Sequence, residues 1–276
     1  MRYLSSKSQR GVALITVMLI VALAAIIASQ MTTRLQMQMQ RGVNANINQQ
    51  AYWYVMGAEE FAKRILIASF DDDEDVTHLA QPWAAGETSS PVAFGSIGGE
   101  ITDLHSCFNL NALREKPEST SASPGGKTQA RVAFEKLLVA LAIEGVDNYQ
   151  ATAMADALTD WLDEDSFLSD NGAEDDDYAS REFPFLAANH YLASVSELRL
   201  LEHFSQKVVL ALKPFVCVLP QSGDHKININ TLDEEKAELL QALLGSTLDD
   251  AQQVIASRES EGFEQVADFF ALPELA

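Results

Sequence analysis

Residues Val12 to Ser29 carry no charge, and that run constrains the chain more than any other feature in it. In water such a segment must be covered on every side, whereas in lipid it needs only to be helical. As a helix it extends roughly 27 Å, at ~1.5 Å per residue, close to a ~30 Å hydrocarbon core. Arg2, Lys7 and Arg10 precede it, so the excess of positive charge keeps the N-terminus in the cytoplasm and exports the remainder. A cleavable signal peptide is the competing reading, but its apolar core runs only ~7–15 residues before a small-x-small break. Here neither Gly nor Pro interrupts the chain between Val12 and Gly42. Further on, Tyr52, Val55, Met56, Glu59, Phe61 and Ala62 suggest an amphipathic second half. The pattern predicts one long helix, embedded in the membrane first and packed on a globular domain later.

At 276 residues the chain has room for one large domain or two modest ones. Its net charge of −21 repels nucleic acid and favours cations. Two cysteines, Cys107 and Cys217, are too few for a disulfide framework. In an oxidising compartment they are the only possible intramolecular pair, and in the cytosol they are two buried thiols. His78, His105, His190, His203 and His225 are scattered without a nucleophile motif, so the sequence offers no catalytic set.

Alternation places strands around 92–95 and 99–106, and Pro, Ser and Gly make 115–127 a flexible linker. Phe134, Leu137, Leu138 and Leu141 then recur at helical spacing, with Gly145 as a stop, and Met154, Leu158, Trp161 and Leu162 repeat the pattern. Ser194 and Glu197 form a capping box opening a helix through LRLLEHF. KVVLALKPFVCVLP, 207–220, reads as a strand. A Cys107–Cys217 bridge would tie both sides of the helical unit to one sheet.

Between Asp160 and Glu182 ten acidic residues face one basic residue, Arg181. Repulsion at that density leaves two options, a disordered loop or one held by a cation. Asp163 and Asp165 project from a helix end, and Asn171-Gly172 permits a reversal that returns Glu174 and Asp175. Every candidate ligand is an oxygen, which suits calcium, with its ~6–8 flexible oxygen ligands, better than magnesium. The candidate set is Asp160, Asp163, Asp165, Asp170, Glu174 and Asp175, leaving room for two ions. The spacing excludes an EF-hand.

KININTLDEEKAELLQALLGSTLDDAQQVIASRESEGFEQVADFFAL resembles a helix-hairpin-helix module of the SAM-like kind, with a capping box expected from Thr231 to Glu234. Such modules often cradle a phosphate on a Gly-x-Gly hairpin. Here the second Gly is missing, and Asp249 and Asp250 stand where an anion would bind. A membrane-anchored periplasmic DNA receptor is therefore the second reading of the chain, and a protein without nucleic-acid partners the first.

Gly11 before an apolar helix resembles the processing site of type IV prepilin-like proteins. Together with DLHSCFNLNAL, DWLDED…NGAED, ANHYLASVSELRLL and the late ININT helix pair, it resembles the protein K family of type II secretion, the large minor pseudopilins. That resemblance implies an α+β pseudopilin fold, with a long N-terminal helix packed on a small antiparallel sheet and a large inserted helical SAM-like domain. It divides the chain into a leader (1–11), a transmembrane helix (12–29), a pseudopilin helix with the first strands (30–114), an inserted calcium-binding domain (115–205), a return strand (206–222) and a second SAM-like unit (223–276). Further C-terminal strands typical of the family are expected and not found before Ala276.

The resemblance also implies a structural, non-enzymatic subunit at the tip of a short pseudopilus. Its expected partners are minor pseudopilins I and J, the inner membrane, prepilin peptidase and secreted cargo, with the globular part periplasmic. Thr16 stands where most type IV prepilin-like proteins carry a Glu that meets a neighbour's N-terminus, and its absence fits a subunit at an end of the assembly. The peptidase is expected to cut after Gly11 and methylate Val12. Intact-mass analysis of the membrane-extracted protein should find an N-terminus at Val12, and a bulky residue at Gly11 should block cutting. An N-terminus at Met1, or beyond Ser29, contradicts this reading.

Overall fold

The computed structural model describes residues 10–72, 76–115 and 127–275. Residues 1–9 of the leader, the end of the DDDED charge run and nearly all of the 115–127 linker lie outside them. The described chain divides into two compact units, 1–63 with 90–97, and 64–89 with 98–276.

A single helix, α1, runs unbroken over Arg10–Asp72. Ala, Leu, Met, Gln and Ile dominate it and no Pro occurs within it, so nothing removes a backbone donor along its length. Its apolar part is long enough to cross a membrane and is exposed throughout. Thr16 Oγ1 donates to Ala13 O at 2.9 Å and Val12 O at 3.1 Å, so the one hydroxyl early in the helix is satisfied inside its own backbone. Of the expected stripe, Tyr52, Val55 and Phe61 are 58, 61 and 66 % exposed, and Met56 and Ala62 are half-buried.

Strands β1 (Thr88–Val92) and β2 (Gly95–Gly99) pair as a hairpin, because a two-residue connection permits only antiparallel neighbours. This corrects the expected strands at 92–95 and 99–106, since Ala93 and Phe94 make the turn. Beyond Glu100 the chain leaves the ladder, and Asp103 accepts from His105 N at 2.8 Å to start a 3₁₀ turn at Leu104–Ser106.

The core lies in the second unit. Helices α2 (Gln129–Ala140) and α3 (Asn148–Leu162) open on Thr128 and Asp147, whose side chains accept from Arg131 N and Gln150 N. They bury the predicted stripe: Phe134, Leu137 and Leu138 on α2, and Met154, Leu158, Trp161 and Leu162 on α3. Truncating a fully buried Phe such as Phe134 would cost about 3–5 kcal/mol. Gly145, at φ +85°, makes the turn between the helices. Next come α4 (Asp175–Ala179), α5 (Gln206–Leu212), α6 (Ala237–Leu244), α7 (Leu248–Ser257) and α8 (Val266–Phe270). Helix α2 packs on both α3 and α6, and one apolar core runs through all three.

Three further expectations change. The strand expected at 207–220 is helix α5 followed by a two-residue strand, β4 (Val216–Cys217). Ser205 caps that helix, its hydroxyl accepting from Val208 N. Val208, Val209 and Leu212 share one buried face, and Pro214 stops the helix. The segment after Ser194 keeps its capping box with Glu197 but forms only a 3₁₀ turn, Val195–Arg199. Thr231 does not cap. Its hydroxyl donates to Asp103 Oδ2 at 2.6 Å, and Asp233 accepts from Glu235 N to start the following turn.

Strand β3 (Phe108–Asn109) pairs with β4 in parallel, Phe108 opposite Val216 and Asn109 opposite Cys217. Directly beside this pair Cys107 and Cys217 form a disulfide, their Cα atoms 5.7 Å apart across 110 residues of sequence. Closing a loop of that length restricts the unfolded chain by about 4–5 kcal/mol in the chain-entropy model.

Two buried asparagines complete the junction. Asn109 Nδ2 donates to Ser222 O and Asp224 O, while its Oδ1 accepts from Asn111 N and Leu219 N. Asn111 Nδ2 donates to Leu192 O and Leu219 O, and its Oδ1 accepts from Leu192 N at 2.8 Å. Asn111 has no exposed surface, so Asn111→Ala leaves three backbone groups without partners. It should lower stability by about 2–5 kcal/mol in urea titration of the oxidised protein. A change below about 0.5 kcal/mol would show that the junction does not need the clasp.

Candidate metal centre

Helix α3 delivers two carboxylates to its inner face one turn apart, Asp156 and Asp160, both buried. Asp156 pairs with Arg131 through Oδ1 and accepts from Asn171 Nδ2 through Oδ2 at 3.2 Å. Asp160 accepts from Ser169 twice, from Oγ at 2.5 Å and from the backbone N at 3.1 Å. The loop therefore folds back over the helix that launched it. Gly172 sits where this return is tightest: a Cβ there would lie 1.8 Å from Asp160 Oδ2. Tyr149 OH donates to Asn171 Oδ1 at 3.0 Å, and His203 Nε2 lies 3.1 Å from Asn171 O.

Glu174 stands at the end of the returning loop. It is 6 % exposed, its carboxylate oxygens are fully buried, and the backbone N–H groups at the start of α4 face them. Burial, reinforced by the charges of Asp160, Asp163 and Asp175, pushes its pKa from 4.5 up to about 7. Burial also raises Asp160, against the lowering effect of its Ser169 bonds and with further upward push from Asp163 and Asp156. Of the six predicted ligands, Asp160, Asp163, Glu174 and Asp175 are thus brought into one electrostatic neighbourhood.

Asp165 and Asp170 lie on the loop between Asp163 and Glu174. Asp165 Oδ1 accepts from Phe167 N at 3.0 Å, and Asp170 is exposed. Asp163 Oδ1 accepts from Asp165 N, and Asp175 Oδ1 accepts from Ala187 N at 2.9 Å. Among the described residues no three His, Cys, Asp or Glu side chains already meet in metal-coordinating geometry, since Asp160 faces Ser169. A buried carboxylate beside three others nonetheless offers oxygen donors of the kind a hard divalent cation takes.

Sequence reasoning passed over Asp156, although its four-residue spacing from Asp160 put it on the same helix face. The cations bracketing the loop have no local signal. Arg114 pairs with Glu164 at 2.5 Å and stacks 4.3 Å over Tyr191. Arg181 pairs with Glu202 at 2.5 Å, donates to Leu200 O and lies 4.7 Å over Tyr178. Beneath the loop Tyr178 meets Trp161 edge-on and stacks on Phe185. In the late helix pair, Asp250 accepts from Thr247 N while Thr247 Oγ1 accepts from Asp250 N. The start of α7 is thereby closed by its own carboxylate.

An apolar membrane-length helix, and a disulfide-linked strand pair with helical segments inserted between its strands, together define a pilin-like subunit elaborated by a helical domain. Residues 106–221 and 227–276 match the family models described as type II secretion system (T2SS), protein K. The chain belongs to the type II secretion system protein K family and is a minor pseudopilin. Type II secretion system protein K of Aeromonas hydrophila is 40 % identical over 95 % of this chain and 79 % of its own length. The Klebsiella pneumoniae protein is 39 % identical over 97 % of this chain and 80 % of its own. The crystal structure of the GspK-GspI-GspJ complex from enterotoxigenic Escherichia coli matches with a TM-score of 0.75 and 36 % identity, over 86 % of this chain and 79 % of that one.

Glu174 binds its proton more tightly folded than unfolded, so the metal-free fold is favoured by low pH. Its contribution should fall as pH rises from 4.5 toward about 7, with a slope of at most about 1.4 kcal/mol per pH unit. Asp160 acts in the same direction. In chelator, the melting temperature should decline across that window and flatten in Glu174→Gln. A wild-type profile that rises with pH there contradicts the assignment.

Proposed function

We propose that this minor pseudopilin sits at the tip of the type II secretion pseudopilus with minor pseudopilins I and J, helps initiate its assembly, and so supports protein export across the outer membrane. The observation that carries this reading is the likeness to the chain solved in complex with GspI and GspJ. Exposed Tyr52, Val55 and Phe61 on α1 offer neighbouring subunits apolar surface to bury. Thr16, satisfied within its own helix, asks nothing of a subunit above it. The apolar helix is a single-pass inner-membrane anchor, processed after Gly11 by prepilin peptidase, with the domains in the periplasm. The chain acts as a structural subunit rather than an enzyme, and secreted cargo is a further partner. The DNA-receptor reading gains nothing from the structure, because Asp250 already engages the backbone at the start of α7.

Calcium is the cation this reading assigns to the acidic loop. Asp160, Asp163, Glu174 and Asp175 would hold it, with Asp165 and Asp170 joining by movement of the loop. Its charge would compensate the buried carboxylates and fix the loop on α3. Binding to the folded state alone stabilises by roughly 2.7 kcal/mol at a hundredfold excess over Kd. Calcium should therefore raise the melting temperature and chelator lower it. Asp163→Ala or Glu174→Ala should remove most of that rise, while Asp71→Ala at the exposed end of α1 should keep it. Co-expression with pseudopilins I and J should yield a ternary complex. Fibres of this chain alone would contradict the tip position, and a melting temperature indifferent to calcium would contradict the metal.

A further inference from the structure

The acidic loop holds the one Asn-Gly pair in the sequence, Asn171-Gly172, and the fold restrains every polar group of it that could react. We propose that Asn171 is a self-modification site, kept unreacted by the closed loop and converted to aspartyl and isoaspartyl products when the loop opens.

The chemistry needs only water. The Gly172 backbone nitrogen attacks Asn171 Cγ, the Cγ–Nδ2 bond breaks, and ammonia leaves with the Gly172 amide proton. Water then opens the resulting succinimide at either carbonyl. Opening at Cγ gives aspartate, and opening at the backbone carbonyl gives isoaspartate. Gly favours this step because no side chain shields the attacking nitrogen.

In the closed loop that nitrogen is engaged, donating to Ser169 O at 3.1 Å. The side-chain amide is fixed at both ends, by Asp156 Oδ2 on Nδ2 and Tyr149 OH on Oδ1. The backbone carbonyl of Asn171 faces His203 Nε2 at 3.1 Å. Rotating the amide to present Cγ to the Gly172 nitrogen breaks at least the Asp156 and Tyr149 bonds. Ser169, through its two bonds to Asp160, holds the whole reversal down.

The product cannot close in the same way. In the aspartyl product the group that now donates to Asp156 Oδ2 becomes a carboxylate oxygen, so an attraction at 3.2 Å turns into repulsion between like charges; in the isoaspartyl product Cγ carries the chain, so that donor is lost and the backbone is one carbon longer. The loss of ammonia is irreversible, so the loop keeps a chemical record of having opened. The inference rests on these hydrogen bonds and does not depend on a bound cation.

The test follows modification at Asn171 in the full-length protein in detergent at neutral pH, by peptide mass spectrometry and isoaspartyl methyltransferase labelling. Wild type is compared folded and in denaturant, alongside folded Ser169→Ala and Tyr149→Phe. Folded wild type should react far more slowly than the unfolded chain, and each variant that stays folded should react roughly tenfold faster than folded wild type. Asn171→Asp should leave the 163–180 loop more open to protease. Equal rates in folded and unfolded wild type overturn the proposal, as do variant rates no faster than wild type, or an Asn171→Asp loop as resistant as the original. Should neither variant fold, the folded-against-unfolded comparison and the Asn171→Asp protease result decide it.

Discussion

Glu174 is the point on which the helical part of this molecule turns. A carboxylate buried in the field of Asp160, Asp163 and Asp175 cannot stay ionised at no cost. The fold has two ways to meet that cost. One is to take up a proton, and the displacement of its pKa to about 7 shows how readily that occurs near neutrality. The other is to take up a cation, for which the surrounding oxygens are suited. Which one prevails sets how the stability of the loop between α3 and α4 depends on pH and on calcium.

That loop shares its unit with a disulfide-linked frame. The Cys107–Cys217 bridge, the β3–β4 pair and the Asn109–Asn111 clasp join segments more than 80 residues apart. Phe134, Leu138, Leu158 and Leu162 fill the space behind them. Asp156 and Asp160 ride on the same helix as Leu158 and Leu162, so the apolar core sets the position of the acidic site. Arg114 and Arg181, each stacked on an aromatic ring, anchor the flanks at Tyr191 and Tyr178. The concentration of negative charge is thus confined between fixed walls.

Much of this was legible in the sequence because it rests on local signals. The charge-free run from Val12 is helix α1, the stripes on α2 and α3 are buried as spaced, and the Ser194–Glu197 box forms. Misreadings arose where a tertiary partner outranked a local cue. Val208 and Val209 looked like strand residues until Ser205 capped them and a buried face claimed them as a helix. Thr231 looked like a cap, yet its hydroxyl is taken by Asp103, 128 residues away. Composition exposed the acidic cluster but could not rank its members. Depth separates Glu174 from exposed Asp170, and depth depends on how the loop returns over α3.

The central claim is that a cation, rather than a proton, neutralises Glu174 in the working protein. Crystals of the helical part grown in calcium, with anomalous scattering collected near the long-wavelength limit, test it most directly. The account predicts an anomalous peak about 2.3–2.6 Å from a Glu174 oxygen, with Asp160, Asp163 or Asp175 completing the contact. Density without such a peak, with Glu174 buried and unligated in saturating calcium, would contradict it.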